Sequence, residues 1–101
     1  MLDTINHNHK LDSNNYALAV ATILSSENRG NLIKIDGFRF VNPSSQDKMV
    51  IHIYSGLITE IVHGNAANND YFTIYYLGVS EKEKIYVHKN QIEEILKEIK
   101  G

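Results

Sequence analysis

A chain of 101 residues can enclose one hydrophobic core but is too short for two. Its 43% hydrophobic and 22% charged residues are ordinary globular values, which excludes an intrinsically disordered chain. A formal net charge of −2 gives no sequence-wide positive field, so nucleic acid is not an expected partner unless lysines gather locally.

The chain has no cysteine, which excludes thiolate chemistry and Cys-based zinc sites. That absence also fits a reducing compartment, and the expected location is cytoplasmic. No apolar run approaches the ~18 residues of a membrane span, so no membrane is expected as a partner. Met1–Leu11 lacks the basic-then-apolar order of a signal peptide. The abundance of Asn, Ile, Lys and Tyr reflects AT-rich coding, and it discounts any single Asn as a signal.

In chain order, residues 1–11 show no periodicity and read as a flexible N-terminal segment, with a single α+β domain over 12–101. Asp12, Ser13 and Asn14 can cap a helix through Tyr16–Leu24. There Ala17, Val20, Ala21 and Leu24 share one face, while Leu18 and Ile23 lie off it. Such girth-wide apolarity predicts packing on two sides or against another subunit. Asn28-Arg29-Gly30 ends the helix, with Gly30 free to take positive φ.

Two hairpins are expected next. Leu32–Ile35 and Phe38–Val41 flank Asp36-Gly37, a pair suited to a type I′ turn. That register places Ile33, Ile35, Phe38 and Phe40 on one side and sets Lys34 opposite Arg39. Pro43-Ser44-Ser45 breaks the run. Lys48–Tyr54 and Leu57–His63 then flank Ser55-Gly56, with Met49, Ile51, Ile53, Ile58, Glu60 and Val62 on the core side.

Gly64–Asp70 is a run of turn formers. Tyr71–Leu77 is a strand with Phe72, Ile74 and Tyr76 on one side and Tyr71, Thr73 and Tyr75 on the other. Gly78–Glu83 is an exposed connection. Lys84–His88 is a short last strand, with Ile85 and Val87 inward and Tyr86 and His88 outward. Asn90 and Glu93 form a capping box for a final helix whose stripe is Ile92, Ile95, Leu96 and Ile99. The fold class is therefore α+β: one domain, mainly an antiparallel sheet of roughly five to six strands, with an N-terminal and a C-terminal helix.

No enzyme motif stands in the sequence: there is no G-x-S-x-G, P-loop or G-x-G-x-x-G. His7-Asn-His9 belongs to the tail, and two histidines without further ligands do not make a metal site. His52, His63 and His88 sit in or at the ends of strands with no ligand spacing, so no metal or other cofactor is expected. Glu60 on an apolar face would have a raised pKa and could act as an acid or base. Lys34 and Arg39 together could hold an anion.

The outward set Tyr54, Tyr71, Tyr75, Tyr86, His52 and His88 is the strongest lead. Tyrosine gives large contact area, a polar tip and little rotamer entropy to lose. The expectation is a non-enzymatic interaction protein, docking a sheet face or edge on a protein partner as an inhibitor, regulator or assembly factor. Its size and coding bias would suit a phage or mobile-element accessory protein. Self-association is consistent with the apolar first helix. A second reading is a homo-oligomeric binder of a nucleotide-like anion, and a third is a small enzyme using His52, His88 or Glu60.

Overall fold

The computed structural model describes residues 13–64 and 70–101. The Met1–Leu11 segment, the His7-Asn-His9 motif and most of the Gly64–Asp70 loop lie outside the described residues.

Helix α1 spans Ser13–Leu24 and carries no charged side chain. Tyr16 is buried, Val20, Ile23 and Leu24 are half-buried, and Ala17, Leu18 and Ala21 face outward. The packed stripe is thus rotated from the expected one: Tyr16, Val20, Ile23 and Leu24 are covered, and Ala17 and Ala21 are not. A 3₁₀ turn, Glu27–Arg29, follows, with the Ser26 side chain accepting from the Asn28 N–H. Gly30 then takes a φ of 75°. The positive angle lets the chain pass close to Ser55, whose hydroxyl group lies where a Cβ on Gly30 would stand.

Strand β1 runs unbroken from Leu32 to Asn42 and pairs antiparallel with β2, Ser45–Tyr54. Asp36 and Gly37 therefore sit inside a strand, opposite Val50 and Met49, and do not form the expected turn. The turn is Pro43-Ser44. It is fixed by the Asn42 side-chain oxygen, which accepts from the Ser44 N–H (3.0 Å) and hydroxyl (3.1 Å). One consequence is parity. Ile33 and Ile35 lie on one sheet face and Phe38 and Phe40 on the other.

The second expected hairpin is also absent. A 3₁₀ turn, Ser55–Leu57, leads from β2 to β3, Ile58–His63, at the opposite edge of the sheet. The order is β2-β1-β5-β4-β3, with β4 at Tyr71–Leu77 and β5 at Lys82–His88, and every pairing is antiparallel. In a flat sheet the edges would stand ~19 Å apart, four spacings of ~4.8 Å. Four Cα–Cα steps reach at most ~14 Å. The sheet must therefore roll until its edges converge at this corner. The corner is clasped to the chain entering β1: the Ser55 N–H donates to the Asn31 carbonyl (2.8 Å), and the Asn31 N–H donates to Ser55 Oγ (3.0 Å).

Helix α2, Ile92–Lys100, follows a 3₁₀ turn at Lys89–Gln91. That turn takes up Asn90, so Gln91 precedes the helix without a side-chain cap and the expected capping box does not form. Ile92 and Ile95 pack on Ile33, Ile35, Ile74, Tyr76, Ile85 and Val87. Ile35, Ile74, Ile85 and Val87 are fully buried, each stabilising the fold by about 1.5–3 kcal/mol. Asn31 also reaches α2, donating from its side-chain amide to the Glu98 carbonyl (3.1 Å). The α+β architecture is as the sequence indicated, with five strands and a helix at each end of the described order. No described helix is long and apolar enough to cross a membrane.

Candidate functional surface

Both described helices lie on one side of the sheet. The isoleucines of α2 join the core of that side, and Val20 and Leu24 of α1 share a groove with Met49, Ile51, Ile53 and Tyr76, all of the same face. The opposite face carries Phe38 and Phe40 from β1, Tyr86 and His88 from β5, and Tyr71, Thr73 and Tyr75 from β4. No described helix covers it.

The rings on this face interlock. Tyr86 lies 5.6 Å from Phe38, 5.1 Å from Phe40 and 5.2 Å from Tyr71 between ring centroids. His88 lies 4.7 Å from Phe38. The contacts of Tyr86 with Phe40 and Tyr71 are edge-to-face, an arrangement that ring quadrupoles favour, and Phe38 stacks on Tyr86. Phe38 and Tyr71 form the buried floor, at 4% and 5% exposure. Tyr75 and Tyr86 are half-buried above it, and Phe40 reaches 37% exposure. Exposed Val50 and Val62 extend the apolar surface onto β2 and β3.

Lysines stand over this surface. Lys84 Nζ lies 5.6 Å from the Tyr86 ring centroid, and Lys82 Nζ lies 5.7 Å from that of Tyr75. A hydrogen bond with Tyr86, and the charges Tyr86, Tyr75 and Tyr71 can acquire, hold the Lys84 ammonium above its usual pKa range. Neither lysine forms an ion pair among the described residues, where the single ion pair is Arg39–Asp47 at 3.7 Å.

Of the sequence-predicted set, Tyr71, Tyr75, Tyr86 and His88 come together. Tyr54 and His52 share the face but sit toward the clasped corner. Tyr54 pairs with Leu32 beneath the Arg29 guanidinium (5.1 Å), and His52 pairs with Lys34. The expected Lys34–Arg39 juxtaposition does not occur. The unbroken β1 places them on opposite faces, and Arg39 meets Asp47 instead. Glu60 is exposed and sits opposite Tyr75, because a register shift between Ile58 and Glu60 moves it off the core side. His63 stacks on Phe72 at 4.4 Å.

Phe38, Phe40, Lys82 and Lys84 were missed as members of this surface. The change of apolar positions from odd to even numbers across Asp36-Gly37 fits a two-residue turn as well as a continuous strand, so the sequence does not separate the two for the phenylalanines. Beside the aromatic face, β1 and β5 part beyond their one registered pair, Phe38 and Tyr86. The parting leaves a cleft of about 360 Å³ lined by Asp36, Phe38, Lys48, His88 and Gln91, among others. Among the described residues no cluster of His, Asp and Glu could hold a metal ion. No protein-family model, curated protein or solved structure matches the chain.

Proposed function

We propose that this chain is a non-catalytic interaction protein that docks the aromatic face of its sheet on a protein partner. The observation that carries this reading is the segregation of both described helices to one face, which leaves Phe40, Tyr75, Tyr86, Val50 and Val62 partly exposed on the other. Exposed aromatics over a rigid, buried aromatic floor are the composition of an interface centre. Five strands averaging about eight residues give a face of roughly 600 Å² before side-chain relief. A stable complex buries ~800 Å² on each partner. The face alone therefore supports a transient contact, and a tighter complex would also use the outer edge of β2, which no described strand pairs.

The test is capture of partners from the source cell by the tagged chain and by a Phe40→Ser/Tyr75→Ser variant. Phe40 is 37% exposed and Tyr75 is half-buried, so circular dichroism first checks that the variant keeps its fold. Loss of the captured protein supports the reading, and undiminished capture refutes it.

A further inference from the structure

We infer that the partner presents an acidic segment to the Lys82–Lys84 end of the aromatic face. This inference rests on the reading of that face as a docking surface and adds the chemistry of what docks there.

The first support is charge. The whole chain carries a formal net charge of −2. The aromatic face nonetheless displays Lys34, Lys48, Lys82 and Lys84 against the carboxylates of Asp36 and Glu60, as strand parity and register place them. Glu83 lies between Lys82 and Lys84 in sequence, but its carboxylate is turned against Gly78 and does not pair with either lysine. Two ammonium groups thus stand side by side on β5 without an ion pair among the described residues, and Glu60, across Tyr75, is the carboxylate of this face that shares their hollow.

The second support is how those ammonium groups are held. Each lies over a tyrosine ring, which orders a long side chain before any partner arrives. A carboxylate can accept from an ammonium N–H on its outer side and leave the ring contact intact. A nucleobase stacking on Tyr75 or Tyr86 would instead need the ring surface that a lysine already occupies. Exposed Phe40, 5.1 Å from the Tyr86 ring, and exposed Val62, opposite Thr73, offer apolar seats on the same face, while Glu60 is the residue in line with Tyr75 and Lys84. The arrangement fits a segment in which acidic and apolar side chains alternate, and it disfavours single-stranded nucleic acid.

The experiment titrates the isotope-labelled full chain with an alternating Glu–Phe peptide, the matching Gln–Phe peptide and an oligothymidylate, each at about 50 and 300 mM salt. The acidic peptide should shift the amides of Tyr75, Lys82, Lys84 and Tyr86, bind at least about fivefold more tightly than its Gln counterpart, and weaken at higher salt. Lys82→Gln/Lys84→Gln should reduce its affinity by about fivefold to tenfold without changing the dispersion of the spectrum. Equal binding of the two peptides, or indifference to the lysine substitutions, overturns the inference. Binding of the oligothymidylate in place of the peptide overturns it as well and reassigns the face to nucleic acid. A partner that docks through Phe40 and Tyr75 but ignores both lysines would sink this inference and leave the docking surface standing.

Discussion

Gly37 lies against the backbone carbonyl of Tyr86, so close that a Cβ on Gly37 would overlap that oxygen and crowd the Ile85 side chain. The contact sits beside Phe38–Tyr86, the one registered pair that joins β1 to β5. It therefore closes the β1–β2 hairpin onto the rest of the sheet. Gly37→Ala should force these strands apart and cost about 1–3 kcal/mol, a fall in Tm of roughly 5 °C or more. Thermal denaturation followed by circular dichroism measures this. An unchanged Tm would mean that β1 and β5 do not approach as described.

The tyrosines of the aromatic face divide into floor and surface. Tyr71 is 5% exposed and touches Phe38, Phe40 and Tyr86, whereas Tyr75 is half-buried beneath Lys82. Tyr71→Ala should cost about 3 kcal/mol or more through the cavity it leaves. Tyr75→Ala should cost about half as much or less, because part of its ring is already in solvent. Denaturant titration of the two variants separates them, and equal losses would contradict the division.

Stability should fall at alkaline pH. Burial raises the pKa of Tyr16 and of Tyr76, and the Glu83 carboxylate pushes both in the same direction. For Tyr16 the Gly78 backbone partly opposes that rise. A raised folded-state pKa means that the folded protein holds these protons when the unfolded chain has begun to release them. The associated stability is complete below about pH 10 and is lost as pH climbs through the folded-state values. The Tyr16 hydroxyl is buried without a full hydrogen bond. Tyr16→Phe should therefore leave neutral-pH stability unchanged or improve it, and flatten the alkaline decline. A clear loss at neutral pH would show that the hydroxyl makes a bond the fold depends on.

The local alternations were legible in the sequence. Phe72, Ile74 and Tyr76 face the core and Tyr71, Thr73 and Tyr75 face away, because period-two patterning survives wherever one strand face is buried. Ile92 and Ile95 were legible for the same reason at helical period. The pairing of strands was not. Asp36-Gly37 has the chemistry of a two-residue turn, yet Gly37 is needed where two backbones meet, and a glycine serves either purpose. Ser55-Gly56 likewise resembled a turn, but Gly56 packs on the backbone of Asn28 and Arg29, and the chain crosses to the far edge of the sheet. The first reading puts Phe38 and Phe40 on the wrong face and sets Lys34 against Arg39, and the second puts Glu60 and Val62 on the core side. The lysines over Tyr75 and Tyr86 follow from the β4–β5 register, which no local signal encodes.

The docking reading stands on the exposed aromatic face, and site-specific photocrosslinking tests that face most directly. A benzophenone amino acid replaces Tyr75 in one protein, and Leu18 on the outward side of α1 or Lys97 on α2 in two others. Exposed to cell extract from the source and irradiated, the Tyr75 probe should yield one dominant crosslinked protein that the Leu18 and Lys97 probes do not. A product that forms from α1 or α2 and is absent from Tyr75 would contradict the account and place the interface on the helical side of the molecule.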